Sequence, residues 1–389
     1  MKYTDIAIIG GGLAGSTAAA MLRRAGIPAI LIDPHPSYPP DFRVEKLSDE
    51  QVARFRKTGI AEAVLRQATL SGETWIARFG YLLDKPPRRQ FGIMYDALVN
   101  AIRAEIGDGV EKIFAKAVSI STSRDRQKIV LSDDQVVSAR LVVLANGLNV
   151  GLRHALGIDR RIVSRCHSIS IGFDIVPLGR PSFDFPGLTY FSERPSDRIP
   201  YLTLFAVGKA MRANLFAYRA IDDPWLGDLR RAPVETLNAS LPRLRRITGE
   251  FAISGEIKIR PADLYVNAGH RRAGVVLVGD AFETTCPVSG TGTDKVFTDV
   301  ERLCNVHIPD WLSTDGMAEE KIVAFYDDPV KRACDEWSSA KAFSFRSVSV
   351  DNGLRWKIQR WARFFAWLAR GLLRRLGRGL HRLPIFPAR

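Results

Sequence analysis

The chain has 389 residues, long for one hydrophobic core and suited to two or three domains. An apolar share of 46% with a charged share of 25% is that of a globular protein and excludes wholesale disorder. The net charge of +14 is concentrated at one end: residues 353–389 carry ten Lys or Arg and no acid, and without those ten the 56 basic residues become 46 against 42 acidic ones, a net +4. So balanced a body argues against a nucleic-acid-binding surface.

Cys166, Cys286, Cys304 and Cys334 form no C-x-x-C pair, which predicts neither a disulfide framework nor a structural zinc site and favours a reducing compartment. The opening MKYTDIAIIGGG enters a strand at once, without the basic stretch, apolar stretch and cleavage site of a secretory leader. The expectation is a cytoplasmic protein.

In chain order, Ile6 to Ile9 read as a buried strand, Gly10 to Gly15 give G-x-G-x-x-G, STAAAMLRRAG reads as a helix stopped by Gly26, and PAILID is a second strand ending in Asp33. Gly10 suits a tight turn, Gly12 lets a pyrophosphate approach the backbone, and Gly15 lets helix and strand pack closely. Leu13 and Ala14 fall in the first helical turn, whose unpaired N–H groups and dipole face phosphates. Asp33, 18 residues past Gly15, is placed for an adenosine ribose. Strand, turn, helix and acid agree on dinucleotide binding and leave FAD and NAD both open.

Further on, MYDALVNAI reads as a helix, and the stretch from AKAVSIS to LVVLANG as short strands with hairpin turns. Between about 165 and 265, HSISIGFDIV, GLTYFSE, YLTLFAVG and RANLFAYRA alternate in the manner of an antiparallel sheet, with a helical stretch from PWLGDL to RRITG among them. A final strand, AGVVLVGD, leads into a second glycine loop, GDAFETTCPVSGTGTD. This loop lacks the G-K-[ST] of a Walker loop and the G-x-G of another Rossmann turn. NAD alone gives no reason for it.

A strand ending in Gly-Asp-Ala, then Pro-x-x-Gly-x-Gly before a helix, resembles the flavin-proximal motif of the single-component FAD monooxygenases, the p-hydroxybenzoate hydroxylase class. The ubiquinone-biosynthesis hydroxylases share the spacing most closely. The resemblance covers roughly 1–50, 90–160 and 270–305. It implies that FAD is the cofactor, that Asp280 bonds ribityl or pyrophosphate-linked hydroxyls, and that Pro287 and Gly290, Gly292 and Thr293 line the pyrimidine side of the flavin. Arg43, in DFRVEKL, sits where the family places an FAD-contacting arginine. Asp299 matches an acid that commonly ends the motif, or is a solvated helix residue. Three positions depart from the family: Glu283 replaces a frequent His, Asn146 replaces the Asp of a middle motif in which Arg153 is retained, and Tyr95 stands where many relatives carry an FAD-contacting arginine.

The implied fold class is α/β: a Rossmann-like FAD-binding domain from 1–165 and 266–330, a substrate-domain insertion near 50–90, an antiparallel β-sheet substrate domain over 166–265, and C-terminal helices over 331–389. The implied activity is monooxygenation, one atom of O2 passing through a flavin C4a-hydroperoxide to an apolar, aromatic or lipid-like substrate, with NAD(P)H or another electron donor. A geranylgeranyl-reductase-like flavin reductase, a flavin halogenase (whose W-x-W-x-I-P motif is missing) and a non-enzymatic flavin scaffold are the other readings. No catalytic acid or base stands out, no metal ligands are spaced as a site, and Cys286 beside Pro287 reads as a small buried residue. The oligomeric state is unspecified.

Residues 353–383 place apolar side chains at 354, 358, 361, 365, 368, 372 and 376, on one helical face among arginines. The longest apolar run, FFAWLA, is far short of a spanning helix. The pattern fits a helix lying in an anionic membrane interface, at the inner face of the membrane for a cytoplasmic protein. It also fits a helix packed on the FAD domain or a second subunit.

Overall fold

The computed structural model describes residues 1–380, with side chains to 376; residues 381–383 of the basic stretch lie outside the described residues. The chain forms two compact units. One comprises Met1–Ala68, Ile93–Ser168 and Ala262–Ala342; the other comprises Thr69–Gly92, Ile169–Pro261 and the chain from Phe343 onward.

The first unit is built on a seven-stranded sheet. Its strands run in the order Glu111–Ile113, Ala29–Ile32, Lys2–Ile9, Val136–Leu144, Gln127–Leu131 and Ala117–Ser121, and Val275–Leu277 also pairs with Val136–Leu144. The strands up to Val136–Leu144, and Val275–Leu277, are mutually parallel. Ile6, Ala7 and Ile8, Leu141 to Leu144, and Val275 to Leu277 have no solvent-exposed surface, as expected of parallel strands covered on both faces. The pairing aligns their ends. Ile32 lies opposite Ile9, Ile9 opposite Leu144, and Leu144 opposite Leu277. The chain therefore leaves four adjacent strands along one line, at their carboxyl ends, where open α/β sheets hold ligands.

The helix Leu13–Arg24 follows the first strand, buried continuously from Leu13 to Leu22, and Gly26 turns the chain beyond it with φ +68°. The alanine run allows this: small side chains let the helix lie close to the sheet.

The second unit has its own seven-stranded sheet. Ile169–Ile175 pairs antiparallel with Met211–Ala217, Tyr201–Val207 with Ala210–Ala217, and Gly187–Phe191 with Tyr201–Phe205. The alternating pattern thus forms the expected antiparallel sheet. One edge differs, because Leu188–Phe191 runs parallel to Trp75–Arg78, which hairpins into Tyr81–Asp84. The stretch read as helical forms Pro224–Arg231, Pro233–Ser240 and Arg245–Thr248; proline opens the first two, where its missing N–H costs nothing.

The basic helix Leu354–Leu380 packs on this hairpin. Gly371 permits the approach, since a Cβ there would lie 1.8 Å from the Leu83 carbonyl oxygen. Arg374 pairs at 2.9 Å with Asp84, whose side chain is fully buried, and Phe364 meets Phe79 edge to face at 5.6 Å between ring centres. A buried carboxylate with its cation removed is costly. Arg374→Ala is therefore expected to destabilise this unit by about 2 kcal/mol, and adding Asp84→Asn should recover most of the loss. Urea unfolding followed by tryptophan fluorescence checks this; equal stability of Arg374→Ala and wild type would contradict it.

Candidate cofactor site

All the residues singled out for cofactor binding lie in the first unit. Gly10 begins the first loop with φ +104°, and its N–H donates to the Ile32 carbonyl at 2.9 Å. A Cβ there would fall 2.5 Å from the Ala145 oxygen. At Gly15 a Cβ would fall 1.9 Å from the Gly10 oxygen, so helix and turn touch backbone to backbone. Gly12 has only Tyr38 Cε2 near it, at 4.0 Å, which leaves room in front of the helix. No side chain caps that helix, and its first turn has no acid. The Leu13, Ala14 and Gly15 amides are the orphan donors that an anion satisfies.

Asp33 is held from three directions. Its carboxylate accepts from the Gly11 N–H at 2.6 Å and the His35 N–H at 2.9 Å, and pairs with Arg103 at 3.1 Å. A carboxylate offers about four acceptor positions, so it is oriented while keeping capacity for a sugar hydroxyl. Arg103 also donates to the Gly11 oxygen at 2.6 Å and to the His35 oxygen at 2.7 Å. Its guanidinium fills the space beside Gly11, where a Cβ would lie 2.3 Å from it. Sequence reasoning missed Arg103: it lies 92 residues from its partner and nothing in its helix marks it out.

The second loop packs against the first. At Gly279, φ +59°, a Cβ would lie 3.4 Å from Ala14 Cβ. The Gly279 N–H donates to Asp299 at 3.0 Å, and Asp299 in turn pairs with Lys331 at 3.0 Å. Asp299 is buried, which overturns the solvated-helix reading; it anchors the root of the loop. Lys331 and Lys295 both pair with Asp335, and Lys295 also reaches Glu283 at 3.5 Å, so the residue replacing the frequent His belongs to a buried charge network.

Arg153, the retained arginine of the middle motif, is buried and donates to the Ala281 oxygen at 2.7 Å and the Asn149 oxygen at 2.8 Å. It ties the middle motif to the Asp280 loop. Tyr265 donates to the Asp280 carbonyl at 2.8 Å. Among the described residues no hydrogen bond reaches the Asp280 carboxylate. Beside the Gly10 turn, Asn146 Oδ1 is buried without a partner.

Pro287 opens a short turn after buried Cys286, Gly290 takes φ +63°, and Gly292 and Thr293 begin the helix Gly292–Arg302, which again has no side-chain cap. Gln51 fastens this loop, donating at 3.0 Å to the Gly290 oxygen, Thr293 Oγ1 and Asp294. Its own position is set by a capping box with Ser48, a signal present in the sequence as S-x-x-Q.

Arg43 pairs with Asp41 at 2.6 Å, donates to Tyr38 OH at 3.0 Å and lies 3.8 Å over the Tyr95 ring. Tyr95, standing in place of the family's arginine, thus positions another arginine. Burial raises the Asp280 carboxyl above its ordinary range, with Arg43, Lys295 and Arg153 opposing. Burial likewise pushes Glu45 up to about 7; Arg43 opposes, and Asp280, Asp41 and Asp294 add repulsion.

These features fit FAD. There are uncapped helix amides for a pyrophosphate, an oriented acid for the ribose, an uncommitted acid in the second loop, and an orphaned acceptor beside the Gly10 turn. The Glu45 shift carries a pH dependence. A carboxyl raised from 4.5 to about 7 makes the folded, flavin-stripped protein hold a proton that the unfolded chain has released, so stability falls as pH rises through that window. Glu45→Gln removes the cost: its advantage over wild type in urea unfolding should grow between pH 5 and 8, by on the order of 2 kcal/mol. An advantage independent of pH would contradict the assignment.

Comparison with known proteins agrees with this geometry. A family model described as an FAD binding domain matches residues 3–308. The 3-demethoxyubiquinol 3-hydroxylase of Escherichia coli K12 is 25% identical over 337 residues, covering 78% of this chain and 79% of that protein. Among solved structures, p-nitrophenol 4-monooxygenase PnpA from Pseudomonas putida DLL-E4 superposes with a TM-score of 0.76 at 16% identity, over 95% of each chain. The flavin-dependent brominase Bmp2 gives 0.68 at 14% identity, over 98% of this chain and 100% of that one. The chain belongs to the FAD-binding-domain family of flavin-dependent monooxygenases and is an oxidoreductase with FAD as its cofactor.

Proposed function

We propose that the protein is a cytoplasmic hydroxylase that places one atom of O2 on an apolar, electron-rich substrate, aromatic or lipid-like, with NAD(P)H as electron donor. The observation that carries this reading is the pairing register that brings the Gly10 and Gly279 loops out of the sheet along one line, with Ala14 against Gly279. One FAD engaging both loops has its adenosine near Asp33 and its flavin near the Pro287–Thr293 loop.

Bound FAD supplies the oxygen activation; the protein holds, orients and shields it. The Leu13–Gly15 amides and the helix dipole take the pyrophosphate, Asp33 takes the ribose, and Asp280 takes hydroxyls of the chain leading to the flavin. Main chain at Gly290 and Gly292, with the uncapped start of Gly292–Arg302, would offer N–H groups to the part of the flavin that gains negative charge on reduction. Donors held there by Gln51 would need little reorganisation when that charge appears. The substrate class rests on the E. coli relative, which by name hydroxylates a quinol.

The test is turnover under 18O2 with NADH or NADPH and a panel of phenols and prenylated quinols. The expected product carries one 18O atom, the other appearing in water, and no label enters the product from 18O-labelled water. A saturated, unlabelled product would point to a reductase. A product formed only with chloride or bromide present would point to a halogenase. Either result would contradict the proposal.

A further inference from the structure

The helix Leu354–Leu380 is docked on only one side. Toward the second unit it commits Arg360 to the Val348 and Asp351 carbonyls, Phe364 to Phe79, Gly371 to Leu83 and Arg374 to Asp84. Leu354, Ile358, Trp361, Phe365, Leu372 and Leu376 remain exposed, Leu354 by 74% and Leu376 by 66%. At 3.6 residues per turn these six fall within about 60° of arc, and Leu373, also exposed, widens the stripe. A continuous apolar strip along a helix about 40 Å long is more than a soluble surface ordinarily leaves uncovered.

The charge around the strip selects the partner. Arg355 and Lys357 lie on opposite sides of it and are exposed. The helix contains no acidic residue to pair with a copy of itself. An interface between two copies through this face would set the same cations against each other in either orientation. An anionic bilayer instead offers hydrocarbon to the strip and phosphates to its basic borders. Among the described residues no helix is long and apolar enough to cross a membrane, so the contact is with the surface.

We propose that Leu354–Leu380 is an in-plane membrane anchor, its exposed strip seated in an anionic lipid surface while its opposite side stays docked on the strand Tyr81–Asp84. The helix packs on the hairpin of the second unit, not on the FAD-binding unit as the packing reading of the sequence had it, and this contact and a membrane contact use different faces of one helix. The anchor concerns where the protein resides and does not rest on the reaction proposed above.

The test is cosedimentation of the full-length, FAD-loaded protein with phosphatidylcholine vesicles, with and without phosphatidylglycerol. Wild type is expected to bind the phosphatidylglycerol vesicles, more weakly at high salt. I358E/F365E, which removes no hydrogen bond or ion pair of the docked side, should lower binding at least about tenfold. R355E/K357E leaves the strip intact and should lower it by a similar factor. Flavin absorbance equal to wild type shows that each variant is folded. Unchanged binding by I358E/F365E, or equal binding to both vesicle types, would overturn the proposal. A wild-type dimer in sedimentation that I358E/F365E abolishes, with no vesicle binding, would assign the strip to a second copy and overturn it equally.

Discussion

Four parallel strands ending in register are the constraint on which the cofactor site depends. With strands about 4.8 Å apart, the alignment Ile32–Ile9–Leu144–Leu277 sets the starts of the first loop, the middle motif and the second loop within about 10 Å of one another. Shifting one strand by a single residue would turn its side chains to the other face, and these strands are buried on both faces, so the register is tightly specified. Positive-φ glycines then bend the chain where it leaves the sheet, at Gly10 and at Gly279. The fold brings both loops to one place before any side chain acts.

What the loops need beyond register is fixation, and the chain supplies it with charged groups reaching from distant segments. Arg103 holds Gly11 and Asp33; Arg153 holds the Asp280 turn from the middle motif; Lys331, through Asp299, holds Gly279. Each pair is partly or wholly out of water, where one partner without the other is costly. Rigid backbone donors suit a cofactor whose charge changes during its work, because the dipoles are already aligned.

The turn at Gly10, the helix after it and the strand ending in Asp33 were legible, since they are local, but the Arg103 that holds Gly11 and Asp33 was not. The second loop was legible by resemblance, and the Ser48–Gln51 box could have been read too, although its reach to Gly290 could not. Arg103 and the Lys331–Asp299 and Lys295–Asp335 pairs were not legible: they meet their partners across 32 to 92 residues, and a lone arginine or lysine on a helix looks the same whether solvated or buried. The parallel edge of the second sheet escaped for the same reason, because Trp75–Arg78 reaches Leu188–Phe191 across more than a hundred residues with no turn to signal it. In the basic helix the apolar period was plain, but only the Gly371 and Arg374 contacts reveal which face is already taken.

The central claim is that both glycine loops grip a single FAD. Equilibrium titration of the flavin-stripped protein with FAD and with ADP tests it, in wild type and in Asp33→Ala and Asp280→Ala. One FAD should bind per chain, ADP should compete with it, Asp33→Ala should weaken both ligands, and Asp280→Ala should weaken FAD by about 10- to 100-fold while sparing ADP. If ADP and FAD bind together without competition, or if Asp280→Ala leaves FAD affinity unchanged, the two loops do not share one cofactor.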